Sequence, residues 1–157
     1  MPEPTVNQAR ESVYRVIVAA VDDSAPGRHG LATAARIARA NEARVVVVHV
    51  RHLPPAAAEA VAVPAVETSL AEIGERIEGW AREDLKGLEW KMHQVGGPVG
   101  PAVLACARDE EADLIVIGSN PHSGLHNLLV GSTTVYLVDH SPIPILVARQ
   151  PSAASAG

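Results

Sequence analysis

The strongest constraint on this chain is a series of short apolar runs that stop abruptly at polar residues. Tyr14–Val21 reads Tyr-Arg-Val-Ile-Val-Ala-Ala-Val and ends at Asp22-Asp23-Ser24. Val45–Val50 reads Val-Val-Val-Val-His-Val, and Leu114–Ile117 and Ile145–Val147 are similar. These runs are too short for helices, rich in β-branched residues and without alternation. They read as strands buried on both faces. Leu88–Val95 instead alternates Leu88, Trp90 and Met92 with Glu89, Lys91 and His93, which predicts a half-exposed strand at a sheet edge.

Helical patterns separate the runs. Ser24 suits an N-cap with Pro26 in the first turn, and Leu31, Ala34, Ala35, Ile37 and Ala38 then line one face. Gly30 inside that helix costs about 1 kcal/mol against Ala. Pro54-Pro55 and the Ala-rich run to Pro64 read as a loose connection. Leu70, Ile73, Ile77, Trp80 and Leu85 follow at helical spacing, ending near Gly87. Val99–Glu110 is a third helix if Pro101 lies in its first turn. Gly118–Gly131 is a long polar loop, and Ser132–Asp139 is a fourth helix that Pro142 and Pro144 close. The order β-α-β-α-β-α-β-α-β predicts one doubly wound parallel sheet with helices on both faces. Ligands of such sheets bind beyond the carboxyl ends of the strands, where the strand order reverses. Asp22-Asp23-Ser24 and Gly118–Ser132 are the unusual segments at those ends.

With 157 residues the chain suits a single domain. It spans 13–149, between tails 1–12 and 150–157 expected to be flexible. There is no Phe, so Val, Ile, Leu and Ala must build the core. The net charge of −5, with no cluster of Lys and Arg, argues against a nucleic-acid partner. The one cysteine, Cys106, cannot form an internal disulfide; it reads as a small buried residue of a helix, and a reducing cytoplasm is the natural compartment. No apolar stretch marks a signal peptide or approaches the roughly 20 residues that span a bilayer.

Several motifs can be set aside. Gly131-Ser132-Thr133 lacks the Lys of a P-loop, and the first strand-to-helix turn lacks the three glycines of a dinucleotide fold. No Gly-x-Ser-x-Gly elbow is present. Asp22-Asp23 resembles the acidic pair of a receiver domain, but that chemistry also needs an Asp closing the third strand and a later Lys; neither is there. His122 and His126 would share a helical face, yet a third metal ligand is missing nearby. His49, inside an all-Val strand, reads as a hydrogen-bonded core histidine.

The run from Gly118 to Thr133 has the makings of an anion cradle. Gly118 lets backbone come close to a ligand. Gly131-Ser132 opens a helix whose free N–H groups and dipole favour phosphate, and Ser132 and Thr133 add hydroxyls. A loop and helix cap without any ligand fits the same spacing.

Across Val16 to Val147 the sequence resembles the universal stress protein family. The resemblance rests on Val-Ile-Val-Ala-Ala-Val-Asp-Asp-Ser at the start, Val-Val-His-Val in the second strand and Gly97-Pro98 before the third helix. It also rests on Ala112-Asp113-Leu114-Ile115-Val116-Ile117-Gly118-Ser119, on Gly124-Leu125 and Leu128-Leu129-Val130-Gly131-Ser132, and on Ser141-Pro142-Ile143-Pro144-Ile145-Leu146-Val147. It implies a Rossmann-like five-stranded sheet of order 3-2-1-4-5 and usually a homodimer, here through the last strand. It implies a nucleotide site in which Asp22, with Asp23 and Ser24 beside it, holds the adenosine portion and Val50 packs on adenine beside Ile117. Gly118, Gly131, Ser132 and Thr133 would surround the phosphates.

The chain departs from the family pattern at Pro121, where nucleotide-binding members carry a second glycine. Proline has no N–H and cannot take a left-handed turn. Losing one hydrogen bond to a charged group weakens binding roughly ten- to a hundredfold. The loop also has no Lys or Arg, with His122 where relatives often have Arg. The resemblance therefore implies a non-catalytic stress-response or signalling module that binds ATP, AMP or another adenine nucleotide, with a divalent cation such as Mg accompanying ATP. The alternative is a nucleotide-free dimeric interaction or chaperone-like module. A slow ATPase lacks a positioned base and a Lys for the developing charge.

Overall fold

The computed structural model describes residues 12–51, 63–119 and 131–150. In chain order the elements are β1 (Val16–Ala20), α1 (Ala25–Asn41), β2 (Arg44–Arg51), α2 (Val63–Asp84) and β3 (Trp90–Gly96). They continue as α3 (Val99–Asp109), β4 (Leu114–Ser119), α4 (Ser132–His140) and β5 (Ile145–Arg149). The five strands form one sheet of order β3-β2-β1-β4-β5 with every pairing parallel. The expected architecture is therefore the observed one.

Side-chain alternation divides the core into two layers. Ile17, Val45, Val47, Leu114 and Val116 pack on one face against Leu31 of α1 and Ile77 and Leu85 of α2 and its end. Val18, Val46, Val48, Ile115 and Ile117 pack on the other against Val103 and Leu104 of α3 and Leu137 of α4. Both faces of the central strands are covered, which is why their sequences carry no polar alternation. β3 is an edge strand, as its alternation predicts.

Several boundaries differ from the sequence reading. α2 begins at Val63, well before its first apolar-periodic residue, because Pro64 is tolerated in a first helical turn. β3 begins at Trp90, since the Leu88 N–H donates to the Leu85 carbonyl in the turn after α2. β4 and β5 both run two residues further than expected, pairing Gly118 with Ala148 and Ser119 with Arg149. Gly118 thus belongs to a strand rather than to the loop. Cys106 lies on α3 as expected, but is half-buried; burial, with Asp109 and Glu110 nearby, pushes its thiol pKa up, away from reactivity. Residues 1–11 and 151–157 of the expected tails lie outside the described residues.

Candidate functional site at the carboxyl edge

β1 and β4 are neighbours, and the connections that leave them go to opposite faces: α1 to one, α4 to the other. This reversal opens a cleft of about 390 Å³ at the carboxyl edge. Its apolar wall is made by Val48 and Val50 of β2, Val99 and Val103 of α3, and Ile117 of β4. The polar rim is made by Asp22, Ser119, Thr133 and Thr134, with backbone at Gly118 and Gly131.

The start of α1 fixes the acid side. Ser24 caps the helix: its hydroxyl accepts from the Gly27 N–H at 3.0 Å and donates to the Asp22 carboxylate. Asp22 is thereby anchored at the mouth while remaining exposed. Asp23 turns away and accepts from Arg76 of α2, so its charge is already matched. Val21, just past β1, stays in register through two contacts to β2. Its N–H donates to the Val48 carbonyl at 2.9 Å, and its carbonyl lies 3.0 Å from His49 Nδ1. His49, nearly fully buried, is thus the hydrogen-bonded core histidine of the sequence reading.

The glycines here serve the close approach of α1 to the sheet. A Cβ on Gly118 would sit 1.9 Å from the Pro26 carbonyl oxygen, and one on Gly30 would sit 2.8 Å from the Gly118 nitrogen. A Cβ on Gly27 would sit 2.3 Å from an Asp22 carboxylate oxygen. The sequence reading has Gly118 admitting a ligand; its first duty is to admit the first turn of α1. The same contact explains why Gly30 stands inside a helix. On the opposite side Gly131 is the N-cap of α4, no side chain among the described residues caps the helix, and its first-turn N–H groups have no intrahelical partner.

The structure therefore brings Asp22, Val50, Ile117, Gly118, Gly131 and Thr133 to one cleft. Asp23, Ser24 and Ser132 flank it without lining it, and Pro121 lies outside the described residues. Sequence reasoning misses Val99, Val103 and Thr134, because their helices give no sign in sequence of which residues face a gap and which face core. Among the described residues Asp22 is the only ionisable side chain in the lining. Among them, too, no group of three His, Cys, Asp or Glu could hold a metal, so the donor set does not fit a resident ion. No helix among them is long and apolar enough to cross a membrane.

A parallel 3-2-1-4-5 sheet with its cleft at the β1/β4 reversal defines a doubly wound, Rossmann-like α/β protein with a crevice where such folds take ligands. The family model described as "Universal stress protein family" matches residues 13–149, and the chain belongs to that family. A universal stress protein of Thermus aquaticus is 30% identical over 87% of this chain and 100% of its own length. The solved UspA of Lactobacillus plantarum is 25% identical, with a TM-score of 0.66 over 87% of this chain and 98% of its own. Two further solved relatives share the fold. One is a universal stress protein in complex with cAMP, 19% identical, TM-score 0.57, over 86% of this chain and 96% of its own. The other is from Arabidopsis thaliana with AMP bound, 15% identical, TM-score 0.58, over 88% and 93%.

Proposed function

We propose that the chain binds an adenine nucleotide in this cleft and works as a non-catalytic, ligand-responsive module of a stress response in the cytoplasm. The observation that carries this reading is the meeting of an apolar wall, Val50 and Ile117, with a single anchored carboxylate, Asp22, at one mouth. Adenine presents apolar faces suited to that wall. A ribose presents hydroxyls that donate to Asp22. The start of α4, which no described side chain caps, and the Thr133 hydroxyl offer donors to a phosphate. The solved relatives with cAMP and AMP support an adenine ligand. Any Mg would arrive with ATP, and Asp22 is the one carboxylate of the lining, among the described residues, that could help hold it.

The site has no equipment for phosphoryl transfer among its described residues: no Lys or Arg lines it, and its only ionisable group is the carboxylate assigned to the ribose. A homodimer through β5 accompanies this reading. β5 is an edge strand, and Val135 and Val138 on α4, which packs beside it, are 49% and 61% exposed.

The test is mass spectrometry of small molecules released from gently purified protein, followed by equilibrium binding. AMP or ATP is expected to bind the wild type, and Asp22→Ala to weaken it about ten- to a hundredfold, the worth of a hydrogen bond to a charged group. Affinities no tighter than millimolar for adenosine, AMP, cAMP and ATP would instead favour the nucleotide-free interaction module that Pro121 suggests.

A further inference from the structure

If the cleft holds a nucleotide, its phosphate side faces an electrostatic difficulty. Among the described residues the only charged one in the lining is the anionic Asp22, and the sequence has no Lys or Arg between Arg108 and Arg149. The first cation met beyond that stretch is Arg149, at the end of β5. It is paired in register with Ser119, a residue of the cleft rim. Partner Cα atoms on adjacent strands lie about 5 Å apart.

The face on which Arg149 lies follows from alternation. Ile115 and Ile117 of β4 belong to the core layer beneath α3 and α4, so Ser119 projects to that face, which is the face of the cleft. Ile145 and Val147 of β5 pack on the same layer, while Ala148 is buried in the opposite one. Arg149 therefore shares the face of Ser119. Its side chain is exposed and forms no ion pair among the described residues. By contrast Arg28, Arg44, Arg76 and Arg82 each hold a carboxylate. Arg51, at the end of β2, is also exposed, but it alternates with His49 and Val47 and so belongs to the other face.

We infer that Arg149 is the phosphate-side cation of the site, supplying from β5 the charge that the glycine loop lacks. This rests on the nucleotide reading above and deepens it: the selectivity between charged nucleotides and neutral adenosine is set by a residue of the edge strand. The guanidinium carries a fixed charge, matches phosphate oxygens with paired N–H donors and rides on a stem long enough to cover a neighbouring strand.

The experiment is calorimetric titration of wild type, Arg149→Ala, Arg149→Lys and the control Arg51→Ala with adenosine, AMP and ATP at low and high salt. Arg149→Ala is expected to weaken ATP about three- to tenfold at low salt, AMP less, and adenosine not at all. Arg149→Lys should recover most of the loss, Arg51→Ala should match wild type, and high salt should shrink the difference. Equal weakening of adenosine and ATP by Arg149→Ala would show a structural role and overturn the assignment, as would ATP binding indifferent to the substitution. Wild-type protein that binds none of the three ligands would overturn the site reading itself, and this assignment with it.

Discussion

The two faces of the sheet are covered by unequal lengths of helix. On one side α1 and α2 have 17 and 22 residues; on the other α3 and α4 have 11 and 9. At 1.5 Å per residue, α1 spans about 26 Å and α4 about 14 Å. A strand of five to eight residues spans about 17–26 Å, so the first pair can cover the sheet from end to end and the second cannot. The thinner cover falls at the carboxyl edge, where Val48, Val50 and Ile117 border the cleft as well as the helices packed on them. The long-helix face makes the fold. The short-helix face leaves room for function.

A large effect from breaking this contrast is expected at Gly118, where the closed face reaches the cleft. In Gly118→Ala the new Cβ would lie 1.9 Å from a backbone oxygen of α1, which no side-chain rotation relieves. The first turn of α1 must retreat, and Asp22 and Ser24 go with it. Overpacking of this kind costs about 3 kcal/mol, or roughly 6–12 °C in Tm for a chain of this size. Thermal melts check it. A variant as stable as wild type would mean that α1 does not sit this close.

The next effect compares the two faces directly. Ile77 on α2 is fully buried, and Ile77→Ala should cost about 2–5 kcal/mol through lost transfer energy and an unfilled cavity. Val50 borders open space already, so Val50→Ala should cost only about 1 kcal/mol while enlarging the cleft. Denaturant midpoints on both variants decide it. Equal costs would mean that the cleft wall is ordinary core.

Much of this contrast is legible in the amino-acid order alone. The continuous Val runs at 45–50 and 114–117 mark strands covered on both sides, and Asp22 and Gly118, at the ends of two such strands, point to one crevice. What stays hidden depends on through-space partners. Gly30 reads as a weak point in a helix, and only the backbone of Gly118 lying against it explains the choice. Asp23 reads as a site carboxylate, but Arg76, distant in sequence, takes its charge. Arg149 follows the last expected strand residue by two positions, and only the extended β4/β5 register places it beside Ser119. The start of α2 escapes notice because Val63 to Ser69 carry no amphipathic repeat, only a proline compatible with a helix start.

The smallest effect sharpens the comparison at the other end of the short-helix face. Glu110 caps the C-terminus of α3 and joins it to β3 and β2: Lys91 lies 2.7 Å and His93 2.8 Å from one carboxylate oxygen, and Arg44 3.0 Å from the other. α3 is thus pinned at the amino edge, and its free end borders the cleft. The hydrogen bonds from Lys91 and His93, with a smaller one from Arg44, hold the Glu110 carboxyl at a pKa of about 2, against 4.5 ordinarily. A carboxyl with a lowered folded-state pKa stabilises fully above its unfolded value and loses that stabilisation as pH falls toward the folded one. Lys91 is half-exposed and water screens it, so Glu110→Gln should cost only about 1 kcal/mol near neutrality. The gap in Tm between wild type and variant should stay constant down to about pH 5 and narrow as pH drops toward 3. A gap that is the same at pH 7 and pH 3 would mean the carboxylate charge does not hold this end of α3, and the open carboxyl edge would then need another anchor.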